Sequence, residues 1–436
     1  MSASELAALV CCDLGAIVRG RSLPSAELQA HADAGVGWVP ANQALTPIGT
    51  LAEPNPFGAT GDLRLLPDLD THARVDADGE DTALELVLCD IAETDGRAWE
   101  CCSREFLRSA LVELDAELGL RVRASFEHEF QLHSERPAAL PFSLEAQRRA
   151  EPFPSLAFAA LEQAGAAPER FMAEYASHQF EIPVAPADGL GAADRAVIVR
   201  EVVREVARRA GTRASFAPLL DPAEAGNGVH IHVSLLDASG RPALYDATRP
   251  YALSELGARF AAGILAHAGA LSALTAPSPL SAMRLEPHRW SAGAVCLAQR
   301  NREALLRLPP LVPLAGEPAQ QLRLEYRGAD ATANPYLALG AIVRAGVDGV
   351  RRALPAPPVL ERDPAELDRA DAERFGVGSL PGSLTDALAA LDGDEIARAW
   401  LPTLLYDAYV SVKRAEVGAA VGVDLAELCE RYAAIY

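Results

Sequence analysis

Four short stretches of the chain alternate between apolar and ionisable residues. In VRASFEHEFQL, Val122, Ala124, Phe126, Phe130 and Leu132 are apolar, and Glu127 and Glu129 fall between them. In QFEIPV, Phe180, Ile182 and Val184 oppose Gln179 and Glu181. In GVHIHVSL, Val229, Ile231, Val233 and Leu235 oppose His230, His232 and Ser234. In RLEYR, Leu324 and Tyr326 oppose Arg323, Glu325 and Arg327. Successive side chains of a strand point to opposite faces, so each stretch predicts a strand with one apolar and one ionisable face. Glu127 and Glu129 then share a face, roughly 6.5–7 Å apart along the strand.

Elsewhere the period changes. REFLRSALVELDAEL (104–118) carries apolar residues at helical spacing, and AADRAVIVREVVREVARRA predicts a long helix stopped by Gly211. Further helices are predicted over 252–274, 335–354 and 383–436. The first stretch reads differently, as short strands and turns. ALVCCDLGAIVRGRSL suits a hairpin turning at Asp13-Leu14-Gly15, Pro and Gly punctuate the chain from Pro40 to Pro67, and LELVLCDIAE is a further strand. The expected organisation is a small mixed β domain over 1–96 and a large α+β domain over 97–436, with the boundary in TDGRAWECC.

Composition narrows the function classes. Of 436 residues, 50% are hydrophobic and 23% charged, which describes a globular chain. No apolar run reaches the ~18 residues of a membrane span, so no membrane partner is expected. The first twenty residues hold Glu5 and Asp13 and no basic stretch, which predicts a cytoplasmic protein without a secretory signal. A net charge of −21 argues against a nucleic-acid partner. Lys413 is the single lysine. A Walker A loop or a Schiff base would have to use it, and its place in AYVSVKRAEV predicts a solvated helix surface instead. The seven cysteines include no Cys-x-x-Cys pair and read as free thiols in a reducing compartment.

Taken singly, a Glu-x-Glu is a solvated strand face and an Arg-x-Glu-x-Arg a salt-bridge ladder. Together they describe a site. If the four strands share a sheet, one face holds Glu127, Glu129, Glu181, His230, His232, Glu325, Arg323 and Arg327, and Glu174 can join from the preceding segment. So many carboxylates ionise together only with cations. Oxygen ligands with one imidazole suit Mg²⁺ or Mn²⁺, and interleaved arginines suit a phosphate. AMRLEPHRW and QRNREALLRLP add Arg284, Arg302 and Arg307.

These residues resemble the glutamine synthetase family. FEHEF matches its E-x-E-F motif, EYASHQFEI its E…GQ-x-E motif, and GNGVHIHVSL its G-x-G-x-H-x-H-x-S strand. NREALLRLP, RLEYRGADATANPYLAL and LPGSLTDAL also match, and GRSLP and GDLRLLPDLDT are similar to its N-terminal β-grasp domain. The resemblance implies a β-grasp domain followed by a catalytic domain whose curved antiparallel sheet is flanked by helices. It implies Glu129, Glu174 and Glu181 as ligands of one divalent ion and Glu127, His230 and Glu325 as ligands of a second, with two or three ions per site. His232, Ser234, Arg307, Arg323 and Glu169 would contact ATP. Arg284, Arg302, Arg327 and Gly226 would hold L-glutamate and the transferring phosphoryl group. The family's assembly, a homododecamer of two hexameric rings with sites between subunits, is the implied partner state.

Two departures bear on the acceptor. The family's flap carries a Glu that helps take a proton from ammonium, and the spacing to Arg302 and Arg307 puts Trp290 there instead. The family's Asp in an FDGSS-like loop has no counterpart in WVPANQALTP (38–47). Both changes remove negative charge where a small cation would bind, and Trp290 adds apolar bulk. The expectation is an ATP-dependent ligase that activates the γ-carboxylate of L-glutamate and couples it to a primary amine larger than ammonia. The alternatives are an ammonia-dependent glutamine synthetase and a catalytically silent regulatory member. A His-x-His metal hydrolase fits the Glu-rich set poorly.

Overall fold

The computed structural model describes residues 4–79, 81–286 and 292–436. Trp290 lies outside the described residues. The first sheet comprises β1 (Leu6–Cys12), β2 (Val18–Pro24), β3 (Val36–Trp38), β4 (Leu63–Pro67), β5 (Ala73–Val75) and β6 (Leu84–Glu93), in the order β2-β1-β6-β4-β3 with β5 also on β6. The β1–β2 hairpin turns where the sequence predicts. Asp13 accepts hydrogen bonds from the backbone N–H groups of Gly15 and Ile17 at 2.9 and 2.8 Å, and Arg19 pairs with it. α1 (Ser103–Leu118) follows and ends at Gly119, whose φ of +65° suits a residue without Cβ.

The second sheet carries the ionisable face. Its strands are β7 (Leu120–Leu132), β8 (Met172–Ala173), β9 (Gln179–Ile182), β10 (Ala187–Asp188), β11 (Ala214–Ser215), β12 (Val229–Asp237), β13 (Ala294–Gln299), β14 (Ala304–Leu308), β15 (Leu324–Ala329), β16 (Val359–Leu360) and β17 (Gly378–Ser379). Along the main path the order is β16-β13-β14-β15-β12-β7-β9-β8. The pairs β14–β15, β15–β12, β12–β7 and β7–β9 are antiparallel, and β13 runs parallel to β14 and β16 at the edge. The apolar alternates Phe126, Phe130, Phe180, Ile231, Val233, Leu324 and Tyr326 are all buried. The helices α2 (Leu144–Arg149) and α3 (Phe153–Gln163) lie between β7 and β8, and α4 (Gly189–Arg209) runs against β7. Asp188 caps α4 by accepting from the Gly191 N–H at 2.7 Å.

The predicted helix over 252–274 is two helices, α5 (Glu255–Ala266) and α6 (Ala268–Thr275), whose axes differ by 74°. His267 sits at the break. Its Nδ1 lies 2.6 Å from Asp394 and its Nε2 3.0 Å from Asp348. A buried imidazole tied to two carboxylates fixes the bend there. α7 (Ser281–Arg284), α8 (Pro318–Gln321) and α9 (Pro335–Arg351) follow, and four helices between Leu384 and Ile435 close the chain. No single helix among the described residues is long and apolar enough to cross a membrane. The seven cysteines are buried free thiols.

Lys413 is a correction to the sequence reading. It is fully buried in the helix Thr403–Ala420, with Nζ 2.9 Å from Glu416, whose other oxygen accepts from Tyr432 Oη at 2.5 Å. The surface pattern misled because this lysine brings its own counter-charge on the next turn.

Candidate functional site

Strand register, more than any loop, assembles the site. Glu127 stands opposite His230 across β7 and β12, Glu129 opposite Glu181 across β7 and β9, and Glu325 opposite both His232 on β12 and Arg307 on β14. Directly opposed residues in an antiparallel pair have Cβ atoms about 4.5–5.5 Å apart, so the carboxylates and imidazoles meet. His230 Nδ1 is 2.9 Å from Glu127 Oε1, and His232 Nε2 is 3.3 Å from Glu127 Oε2. Arg307 and Arg327 donate to the two oxygens of Glu325, at 2.7 and 2.5 Å. Arg323 Nε lies 3.1 Å from His232 Nδ1. Ser234 sits further along the same face and donates to the Leu322 carbonyl at 3.3 Å.

Electrostatics splits the carboxylates into two groups. Burial opposes ionisation of Glu127, but hydrogen bonds from His230 and His232 outweigh it and hold the carboxyl well below its ordinary range. Glu325 is likewise buried, yet Arg327, the two histidines and Arg307 bring it down to about 2. Glu181 has no such help: burial and the fields of Glu127, Glu129 and Glu174 push it well up. Burial and Glu129 raise Glu174 to about 7. A face on which two acids ionise at the expense of two others calls for added positive charge. Oxygens of Glu127 and Glu181 and a nitrogen of His230 all lie within 4.8 Å of one another. That donor set, oxygen-rich with one imidazole, fits Mg²⁺ or Mn²⁺.

Two cavities flank the cluster. One, of about 400 Å³, is bordered by Glu129, Glu174, Glu181, Gly226, Arg284, Arg302 and Arg327. The other, of about 450 Å³, is bordered by Glu127, Glu169, His232, Ser234 and Arg323. Arg284 is buried at the end of α7 and donates to the Ala329 carbonyl at 2.9 Å. It fits because two glycines make room. A Cβ on Gly226 would meet the Pro218 carbonyl oxygen at 2.0 Å and Arg284 Cγ at 2.8 Å, and one on Gly228 would meet Arg284 Nη1 at 2.9 Å.

Most of the expected residues therefore converge. Four do not join in the expected way. Glu325, expected to hold a metal, has its two oxygens on Arg307 and Arg327 and borders neither cavity. Arg307 borders neither cavity and is turned into Glu325. Glu169 is exposed at the rim of the second cavity, in the loop before β8. Trp290 is outside the described residues.

Sequence reasoning missed other contributors. Arg123 and Ser125 line the second cavity, and the alternation that singled out Glu127 already continued back through both. Gln179 donates to the Gly226 carbonyl at 2.9 Å and to Asn227 at 3.0 Å, which fixes the glycine loop. Tyr175 and Glu224 border the first cavity with no pattern to mark them.

The family model of the glutamine synthetase catalytic domain matches residues 100–422, and that of the glutamine synthetase N-terminal domain matches residues 1–99. The chain belongs to the glutamine synthetase family. It is an ATP-dependent ligase of that family. It is 34% identical to the gamma-glutamylpolyamine synthetase GlnA3 of Streptomyces coelicolor, over 94% of this chain and 89% of that protein. It is 31% identical to the glutamine synthetase of Methanocaldococcus jannaschii, over 81% of this chain and 79% of that one. Among solved structures it is similar to one described as a novel glutamine synthase homolog. Their identity is 46%, the TM-score is 0.92, and the match covers 100% of this chain and 99% of that one.

Proposed function

We propose that this glutamine synthetase family ligase activates the γ-carboxylate of L-glutamate with ATP and couples it to a primary amine larger than ammonia. The observation that carries the reading is the placement of one carboxylate–imidazole cluster between two cavities of different character. The first has three arginines, Arg284, Arg302 and Arg327, which suit an amino acid's carboxylates and a transferring phosphoryl group. The second has Arg123, His232, Ser234 and Arg323, which suit a nucleotide. ATP in the second cavity then points its terminal phosphate across the cluster at glutamate in the first.

Glu129, Glu174 and Glu181 would hold one divalent cation and Glu127, His230 and Glu325 a second. Such ions supply charge neutralisation to the phosphates. The chain's own residues do the rest. Arg302 and Arg327 neutralise the oxygens of the phosphoryl group as it passes from ATP to the γ-carboxylate oxygen and ADP leaves. Arg284, held by the Ala329 carbonyl, orients the donor. The amine arrives as RNH₂, having shed a proton from RNH₃⁺. Its lone pair attacks the carbonyl carbon, the C–O bond to phosphate breaks, and phosphate leaves with that oxygen. A second proton leaves nitrogen as the amide forms and is taken up by the departing phosphate.

Two sequence departures support a larger acceptor: Trp290 in place of the flap Glu, and the missing Asp of the N-terminal loop. The likeness to a protein named for polyamines points the same way. The runner-up, ammonia-dependent glutamine synthesis, is supported by the likeness to the glutamine synthetase of Methanocaldococcus jannaschii. The test is turnover with ATP, Mg²⁺ or Mn²⁺, glutamate and either ammonium or an organic amine, read by phosphate release and product mass. Organic turnover with little from ammonium supports the proposal. The reverse favours the runner-up, and ATP binding without turnover favours a silent member.

A further inference from the structure

A third cavity lies beside the donor cavity and is not used by the reaction as described. It holds about 270 Å³, and Glu174 and Gln179 border both spaces. Its walls come from the end of β7, β9, the segment between them and the turn after α4: Leu132, Leu140, Ala146, Phe153, Ala176 and Phe180 supply apolar surface. The same segment carries large apolar side chains that are unusually open to solvent. Leu140 is 74% exposed, Phe142 52% and Leu144 73%. Phe142 packs on Tyr175, ring centroids 6.4 Å apart, and Tyr175 borders the donor cavity. A strip of apolar surface therefore runs from this annex to the mouth of the reaction site. Phe142 holds a φ of +57°, a conformation that a bulky residue adopts only when its surroundings demand it.

The charges of the annex select among amines. Arg136 and Arg149 lie on its wall. Its carboxylates have other roles: Glu151 accepts from Ser155 at 3.1 Å and pairs with Arg148, while Glu174 is one of the carboxylates proposed above to hold a divalent cation. A second ammonium at the far end of a diamine would meet Arg136 and the Arg149–Glu145 pair, with no carboxylate of the lining left unpaired. An uncharged hydrocarbon tail would meet alanine, leucine and phenylalanine, with His133, Ser134, His178 and Thr212 also on the lining. A dry cavity of ~150 Å³ already takes benzene, so the annex has room for a hexyl or benzyl group.

We propose that the annex between β7 and β9 holds the tail of the acceptor, and that the acceptor is therefore a monoamine with an uncharged apolar tail. This rests on the organic-amine reading given above. The amine nitrogen enters past Glu174 toward the acyl phosphate, with its tail along Tyr175 and Phe142 into the annex.

The experiment is a kcat/KM series on the full chain with ATP, glutamate and ammonium, methylamine, butylamine, hexylamine, benzylamine and 1,6-diaminohexane. The proposal expects about a fourfold gain per added methylene up to the size of the annex. It expects 1,6-diaminohexane at least tenfold below hexylamine. Leu140→Arg, at an exposed position that tolerates change, and Ala146→Phe, which fills the space, should each cut the hexylamine-to-methylamine ratio at least tenfold. A diamine equal to or better than hexylamine overturns the proposal, and so does an unchanged ratio in both variants. Organic amines accepted with no dependence on chain length overturn the annex alone. Turnover of ammonium only overturns the organic-amine reading with it.

Discussion

Glu127 and His230 face one another across β7 and β12, with Nδ1 of the imidazole 2.9 Å from a carboxylate oxygen. The pairing turns the other ring nitrogen toward Glu129, at 3.8 Å. One cross-strand contact thus links the two halves of the carboxylate cluster. Its register is protected by the apolar face behind it, because a slip of one residue would drive both groups into the core.

Glu325 holds two arginines on that same face. Glu325→Ala should cost about 3–5 kcal/mol of folding stability, because buried guanidinium groups lose their shared carboxylate. Glu325→Gln, which keeps an acceptor, should cost less. Urea unfolding of the two variants checks the order.

Metal binding should be proton-coupled. Burial and like charges raise Glu174 to about 7 and push Glu181 upward, so the metal-free protein holds protons there near neutrality. These folded-state values lie above the unfolded one. The associated stability is present below the unfolded pKa and is lost as pH rises through about 7. A divalent cation expels those protons. Calorimetric titration with Mn²⁺ should therefore show tighter binding at pH 8 than at pH 6.5, with proton release revealed by two buffers of different ionisation enthalpy. Affinity independent of pH would contradict the charge assignment.

Gly228 makes room for Arg284. A Cβ there would lie 2.9 Å from Nη1 of that arginine and 3.5 Å from Glu129 Oε2. Displacing a substrate-orienting group by about 1 Å costs roughly 10²-fold in rate. Gly228→Ala should lower kcat/KM for glutamate by about that factor while the thermal unfolding profile stays that of a folded protein. Near-normal kinetics would remove Arg284 from the donor site.

Lys413 is a structural residue. Lys413→Met leaves Glu416 buried without its cation and should cost about 3–5 kcal/mol. Pairing it with Glu416→Gln should recover part of the loss, read by chemical denaturation of the single and double variants.

The reach of the sequence follows from these particulars. Alternation along VRASFEHEFQL, GVHIHVSL and RLEYR was enough to place Glu127, His230, Glu325 and their neighbours on one face. Local period two survives tertiary folding when the other face is buried. The short strands of the N-terminal region were legible from their turn residues, and α1 from its helical spacing of apolar positions. The break at His267 was not, because the bend depends on Asp348 and Asp394, which lie 81 and 127 residues away. Lys413 was misread because burial of a cation depends on a partner that composition cannot place. Gln179 lay on the alternating face of β9 but its role, holding the Gly226 loop, depends on a distant partner, and Tyr175 and the annex reach the site through loops, where no period marks a residue.

The most direct test of the central claim uses glutamate labelled with ¹⁸O in its γ-carboxylate. Turnover with ATP, Mg²⁺ and a primary amine such as hexylamine should deliver one ¹⁸O into each inorganic phosphate released, alongside a γ-glutamyl amide of the matching mass. Unlabelled phosphate would show that the carboxylate is never phosphorylated, and would contradict the account.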